Sequence, residues 1–337
     1  MLTIGIVALD AWHAAALERA WRREGHRVIV VTADPEGFSG AELRASLLGR
    51  LVEPAGRIGM GPVGLAVFTR RARQLLAPER PDLVVALPGT TLELLGLAPT
   101  TVLLADCAPE PGVPLRPAGR SDLSARYDEE RRRAVVIAPT DLLASRLSGA
   151  PVVLQLGLPS ASFPTPPAPD GPVRFTAVGG ACRDHGADRL DLLARLADTE
   201  YVSVVDDGSG IADDLAPGVR CVGEQDRAGV AEVLRGSHAF ALLARSTSGA
   251  AAGLDALASG LPVLTTESSV LAGLCAAGAG VVVPDDGRRR DYEDAVLRLR
   301  RDWSALSQGA LELARERPWS VAAEELLDLA EGRARVA

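Results

Sequence analysis

The sequence predicts an α/β fold made of two successive doubly wound parallel sheets. Apolar runs of strand length alternate with helical patterns, as in residues 3–8, 12–24 and 27–32. Alternation of this kind builds parallel sheets through crossover connections. It pauses at a proline-rich stretch, P-S-A-S-F-P-T-P-P-A-P-D-G-P over 159–172, and restarts at Val173. Proline stiffens a segment and removes backbone donors, so this stretch reads as a linker. At 337 residues the chain is long enough for two domains with cores of their own.

The first half opens with T-I-G-I-V-A (residues 3–8), a buried-strand run, and a helix from Trp12 to Glu24 follows with apolar positions at Ala15, Ala16, Leu17, Ala20 and Trp21. Gly25-His26 closes that helix and R-V-I-V-V-T (27–32) is the second strand. Further elements are expected as a helix over 63–76, a strand over 82–86, a short helix over 90–97, a strand over 101–105, a charged helix ending at Arg133 and a strand over 134–137. The second half runs strand 173–178, helix 188–196, strand 201–205, strand 219–223, helix 229–235, strand 239–243, strand 263–266, strand 281–283 and helix 292–301. Pro318-Trp319-Ser320 interrupts the tail and a separate terminal helix covers 321–329. The predicted division is an N-terminal domain over 1–158, the linker 159–172, a second domain over 173–317, and a helix in 318–337 crossing back to the first domain.

Composition narrows the chemistry. Apolar residues make up 47% and aromatic residues only 4%, so the cores are aliphatic. No run reaches the roughly 18 apolar residues of a membrane span, and M-L-T-I-G-I-V-A-L reads as a first strand and not as a secretory leader. Cys107, Cys182, Cys221 and Cys275 form no C-x-x-C pair, which fits a reduced, cytoplasmic protein without structural zinc. The net charge of −8 argues against nucleic acid or an anionic membrane as a partner. Oligomeric state is not legible. The chain contains no lysine, which excludes a Walker-type phosphate lysine, a Schiff base and a lysine general base. The Arg131-Arg132-Arg133 and Arg288-Arg289-Arg290 clusters read as solvated faces.

Candidate site residues fall at predicted strand ends. In doubly wound sheets ligands bind outside the carboxyl ends of the strands. In the first half these ends carry Asp10, Trp12 and His13, then Pro88-Gly89-Thr90, then Asp106-Cys107. No G-x-G-x-x-G follows the first strand, so a dehydrogenase-type dinucleotide site is excluded there. In the second half the focus is R-S-T-S-G-A-A-A-G-L-D-A-L-A-S-G-L-P-V, residues 245–263. A small-residue helix opens at Thr247/Ser248, between two apolar strands, and stops at Gly260-Leu261-Pro262. Ser248 and Asp255 lie seven residues apart, almost two turns, and so point the same way. A helix opening on the end of a parallel strand favours anions. The alanines and glycines of its first turns are expected to let a ligand approach the backbone.

This stretch resembles the signature of retaining glycosyltransferases of the GT-B fold. Their pattern is roughly S-R-x-E-G-F-G-x-x-x-x-E-A-x-A-x-G-x-P-V, with two glutamates separated by seven residues. Asp255 falls on the second glutamate, and Ala256, Ala258, Gly260, Pro262 and Val263 follow as in the family. P-D-D-G at 284–287, D-Y-E-D-A-V-L-R-L-R-R-D at 291–302, P-W-S at 318–320, L-G-L at 156–158 with Phe163, and G-H-R-V-I-V-V-T at 25–32 are similar too. The resemblance implies two Rossmann-like domains facing a central cleft. It implies transfer of a sugar from a nucleoside diphosphate sugar to an acceptor with retention of configuration, without cofactor or metal.

The resemblance also assigns roles. Asp255 would accept the ribose hydroxyls. Gly179, Gly180, Arg183 and His185 would line the diphosphate loop, and Thr247, Ser248, Gly249 and Ala250 the start of the helix. Gly223 and Glu224 would lie at the base. Asp106 and His13 are the candidates for the reaction centre, while Asp10, Trp12, Gly89 and Thr90 would face the acceptor. Three family positions are changed: the first glutamate falls on Thr247, and the basic pair of the diphosphate loop on Gly180 and His185. A charge-assisted contact to phosphate contributes on the order of 1.5–3 kcal/mol, so a replacement is needed. Arg183 fits that part as well as it fits a surface arginine. The compact first half suggests a small acceptor, a natural product or metabolite. The changed positions keep open a catalytically silent homologue that binds nucleotide, sugar or a partner protein. A nucleotide-sugar epimerase is a weaker third reading.

Overall fold

The computed structural model describes residues 1–8, 11–32, 62–86, 94–104, 129, 132–146, 151–179, 186–206, 217–243 and 250–332. The chain divides into two compact units, Met1–Leu154 together with Trp319–Ala337, and Gln155–Pro318.

The first unit is built on β1 (Thr3–Ala8), α1 (Ala11–Arg23), β2 (Arg27–Thr32), α2 (Pro62–Leu76), β3 (Leu83–Ala86), β4 (Thr100–Leu104), β5 (Val135–Ala138), α3 (Asp141–Arg146) and β6 (Val152–Val153). Its sheet has the order β2-β1-β3-β4-β5-β6, and every pairing is parallel. A parallel sheet is covered on both faces, which is why all four residues of β3 (L-V-V-A) are buried. Phe68, Ala72 and Leu76 of α2 pack on Val7, Val31 and Val84 of the sheet. α1 buries Ala14, Leu17 and Trp21, one helical face. It ends where the His26 N–H reaches the Trp21 carbonyl at 3.0 Å. The His26 Nδ1 accepts from the Leu2 N–H at 3.1 Å, so this histidine ties the helix end to the start of β1.

The second unit contains β7 (Val173–Val178), α4 (Ala187–Ala194), β8 (Thr199–Asp206), β9 (Val219–Glu224), α5 (Arg227–Arg235), β10 (Ala239–Leu242), α6 (Ala250–Ala258), β11 (Val263–Thr266), β12 (Gly280–Val283) and α7 (Arg289–Glu316). A short helical segment, Ala272–Leu274, runs into a π-turn at Cys275–Ala279 before β12. The sheet order is β12-β11-β10-β7-β8-β9, again entirely parallel. One face carries Phe175, Ala241, Leu264 and Val281 under Leu190 and Leu193 of α4 and Val296 and Leu299 of α7. Asp226 caps α5, its carboxylate accepting the Gly229 N–H at 2.8 Å. α6 ends in a Schellman arrangement. Gly260, at φ +77°, donates to the Leu257 carbonyl, and Leu261 donates to that of Ala256.

The largest departure from the sequence expectation is α7. The predicted helix over 292–301 extends instead through Arg289–Glu316, 28 residues. Beyond Arg301 its buried face continues through Trp303, Leu306, Ser307 and Ala310, the last three lying three, four and seven residues after Trp303 and so sharing one helical face with it. Nothing before Pro318 forces a stop. The charged run around Arg300–Asp302 belongs to the outer face of one long helix.

His238, just before β10, is 2% exposed. Its Nδ1 accepts the Arg174 N–H at 3.3 Å, and its carbonyl accepts the Trp303 indole N–H at 2.6 Å. Burial, reinforced by the positive charge of Arg174, holds the imidazole below its ordinary pKa of 6.5. The folded state therefore keeps His238 neutral, and unfolding takes up a proton at low pH. This contribution to stability is complete above about pH 6.5 and falls as pH drops below it. Replacing His238 by Asn retains an acceptor but removes the titration. Denaturant unfolding at pH 7.5 and 5.5 is expected to show a smaller pH-dependent loss in His238→Asn than in the parent.

The chain enters and leaves the second unit side by side. The Leu158 N–H donates to the Arg317 carbonyl at 2.9 Å, and Arg317 Nη2 donates to the Gln155 carbonyl at 2.6 Å. Helix α8 (Trp319–Ala330) then joins the first unit. It buries Trp319, Ala322, Ala323, Leu326 and Leu327. The Ala323 carbonyl accepts the Trp21 indole N–H at 3.0 Å, and the Ala330 carbonyl accepts the Thr100 hydroxyl at 3.1 Å. Among the described residues no helix is long and apolar enough to cross a membrane.

Candidate nucleotide-sugar site

The topology of the second sheet singles out one gap. From β7 the chain winds outward to β8 and β9, and from β10 it winds the other way to β11 and β12, while β7 and β10 are neighbours. Such a reversal leaves a crevice at the carboxyl ends of the two central strands. Those ends are Val178-Gly179 and Leu242-Leu243, so the two loops nominated from the sequence begin there. Helix α6 follows β10, and its described residues start at Ala250, which is buried. The first sheet reverses between β1 and β3; Asp10 and Gly89 follow those strands in the chain.

Two glycines shape the β7–α4 connection. Gly179 is buried at φ +145° and its N–H donates to the Val205 carbonyl at 3.0 Å. Gly186, at φ +77°, precedes α4, and its carbonyl accepts the N–H groups of Arg189 and Leu190, both at 2.9 Å. A side chain in the left-handed region costs roughly 1–2 kcal/mol, which accounts for glycine at position 186.

Asp255 lies in the middle of α6 and is 6% exposed. Such burial is not that of a solvated surface carboxylate. Its Oδ1 accepts the Ser162 hydroxyl at 3.1 Å. Four residues on, just past the end of α6, the Ser259 hydroxyl accepts the Ser162 N–H at 3.0 Å. Asp255 and Ser259 thus both meet the proline-rich segment, which belongs to the second unit. A Cβ on Gly260 would come within 2.9 Å of the Thr165 Oγ1, so that segment also lies close to the end of α6. Ser162 was not among the residues nominated from the sequence. In a stretch of prolines and small residues, nothing marks one serine as facing a carboxylate 93 positions away.

The small residues in the first turns of α6 were expected to admit a ligand to the helix backbone; at one of them the space is filled by the protein itself. At Gly253 the close neighbours are protein: an added Cβ would lie 2.5 Å from Leu271 Cδ1 and 3.1 Å from Phe240 Cε1. Glycine here lets α6 sit tightly on β10. Gly253→Ala is expected to lower stability by about 1–3 kcal/mol through overpacking, although alanine favours helices over glycine. Thermal unfolding of the variant measures this directly.

A second residue missed in the sequence is Arg189, in the first turn of α4 and buried. Its Nη1 donates to the Leu243 carbonyl at 3.0 Å, and its Nη2 to the Asp285 carbonyl at 2.6 Å. Asp285 Oδ1 in turn accepts from the Ser268 N–H and hydroxyl at 3.1 and 2.7 Å. The guanidinium therefore bridges the helix after β7, the carboxyl end of β10 and the segment after β12. It places a positive charge beside the strand reversal. A signal existed: Arg189 is flanked by Leu190 and Leu193 on the inward face of α4.

Asp10, Gly89, Thr90, Asp106, Gly180, Arg183, His185, Thr247, Ser248 and Gly249 lie outside the described residues. So do the side chains of Trp12 and His13, whose backbones are in α1, and that of Glu224, whose backbone ends β9. Gly223 is exposed at φ +79°. β9 is the edge strand, two places from β7, about 10 Å along the hydrogen-bonding direction.

Two all-parallel six-stranded sheets in separate units, with the last helix returned to the first unit, match solved glycosyltransferases over the whole chain. The chain has the GT-B fold. It is similar to sucrose-phosphate synthase from Thermosynechococcus elongatus at 15% identity and TM-score 0.70, over 98% of this chain and 99% of that one. WaaG, a glycosyltransferase involved in lipopolysaccharide biosynthesis, is 16% identical at TM-score 0.61, over 98% of this chain and 100% of that one. HepE from Anabaena, solved in complex with UDP and glucose, is 12% identical at TM-score 0.61, over 98% of this chain and 100% of its own. No protein-family model and no curated protein matches the chain. Likeness at these identities concerns the fold, and activity has to be argued from the site.

Proposed function

We propose that this protein transfers a sugar from a nucleoside diphosphate sugar to a small acceptor, a natural product or metabolite, with retention of configuration. The observation that carries the reading is Asp255, a buried carboxylate on the helix that follows β10 at the strand reversal. The Ser162 hydroxyl already donates to this carboxylate, and ribose hydroxyls are donors of the same kind. The diphosphate would lie over the loops after β7 and β10. There the amides opening α6 and the buried charge of Arg189 favour negative charge. Arg183 and His185 are the further cations available in the loop sequence.

Retention needs no protein nucleophile in this reading. The departing phosphate takes the acceptor's proton, and its developing charge is stabilised by dipoles and cations already in place. Asp106 and His13 would orient the acceptor, together with Asp10, Trp12, Gly89 and Thr90. The test is turnover. Incubation with UDP-, GDP-, ADP- and dTDP-sugars together with a panel of small hydroxyl-bearing acceptors is expected to release one nucleoside diphosphate. NMR of the transferred sugar is expected to show the donor's anomeric configuration. An inverted product would overturn retention. Nucleotide binding without any release would favour the catalytically silent homologue, to which Thr247, Gly180 and His185 already point.

A further inference from the structure

We infer that Ser162 is a positioning residue that orients Asp255 and gives the site its preference for ribonucleoside over 2′-deoxyribonucleoside diphosphates. The inference rests on the reading of Asp255 as the ribose acceptor. An ionised carboxylate only accepts, so the 3.1 Å contact runs from the Ser162 hydroxyl to Asp255 Oδ1. The serine is itself fixed, because its N–H donates to the Ser259 hydroxyl just past the end of α6. Thr165, three residues on, packs beside Gly260. The hydroxyl therefore arrives at the carboxylate from a backbone anchored to α6, and not from a loose segment.

Fixing the carboxylate has a consequence for recognition. The terminal torsion of an aspartate is broad and roughly two-fold, so an unrestrained carboxylate turns easily about it. A carboxylate offers about four acceptor positions, of which the Ser162 hydroxyl uses one. By holding one oxygen, Ser162 fixes the plane in which the others are presented. Two adjacent ribose hydroxyls demand a defined plane, whereas a sugar with one hydroxyl tolerates rotation. The short aspartate side chain makes that orientation more important, since it has fewer torsions with which to follow the ligand. Ser162 thus acts through Asp255 and leaves base and phosphate contacts alone.

The experiment is calorimetric titration of the parent, Ser162→Ala, Ser162→Thr and Asp255→Ala with UDP, GDP and ADP and with their 2′-deoxy forms. The parent is expected to bind one ribonucleotide more tightly than its deoxy counterpart. Ser162→Ala is expected to raise the Kd of the ribonucleotide by about 5- to 20-fold while leaving the deoxy form within about twofold, so that the preference collapses. Ser162→Thr retains the hydroxyl and restores the preference. Equal weakening of both forms in Ser162→Ala would show a structural role only and overturn the inference, as would an unchanged preference. If Asp255→Ala abolishes the preference while Ser162→Ala does not, the inference fails and the reading of Asp255 stands. If Asp255→Ala binds like the parent, or the parent binds neither these nucleotides nor dTDP, the underlying reading fails; binding of dTDP alone overturns the inference and leaves nucleotide binding standing.

Discussion

Trp21→Ala is expected to destabilise the first unit by about 3–5 kcal/mol, the range for removing a large buried aromatic side chain. Trp21 is 0% exposed, and its indole N–H donates to the Ala323 carbonyl across 302 positions of chain. Alanine leaves a cavity between α1 and α8 and takes the indole donor away from that carbonyl. Trp21→Phe fills most of the cavity but still removes the donor, and is expected to cost about 1–3 kcal/mol. Because the chain has two units, a single transition midpoint is the wrong observable. Amide hydrogen exchange resolves them: protection should fall in residues 11–32 and 319–330 and change least in residues 173–206. Uniform loss across both units, or no loss near α8, would contradict the role given to this contact.

Asp255→Ala is expected to raise the Kd for the bound nucleoside diphosphate by about 5- to 150-fold, corresponding to loss of roughly 1–3 kcal/mol of hydrogen bonding. The same change releases the Ser162 hydroxyl from its partner, so part of the effect falls on stability. Affinity and thermal unfolding must therefore be measured on the same preparation. Asp255→Glu restores the length found in the resembling family but must fit a site that is 6% exposed. It is expected to lose stability before it gains affinity. An unchanged Kd in Asp255→Ala would remove the ribose assignment.

The fold was legible because its signals are local. Apolar strand runs, the Gly260-Leu261-Pro262 helix stop and the restart after the prolines each reflect chemistry within a few residues. β11 falls at 263–266 as the V-L-T-T run predicts. The end of α7 was missed because a charged turn at Arg300–Asp302 looks like a boundary when the burial beyond it is unknown. Asp255 was nominated because its own helix carries the family pattern. Ser162 and Arg189 were not, because their partners are 93 and 54 or more positions away. No local pattern encodes a contact that only folding creates. Gly253 shows the converse: small residues were visible, but whether a ligand or Phe240 used the space was not.

The central claim is that the second unit binds a nucleoside diphosphate, and thermal unfolding in the presence of UDP, GDP, ADP and dTDP tests it most directly. A ligand at 100 times its Kd stabilises the folded state by about 2.7 kcal/mol, which a melting curve resolves. The account predicts that one of the four raises the unfolding temperature and that the corresponding shift is smaller in Asp255→Ala. No response to any of the four would contradict it.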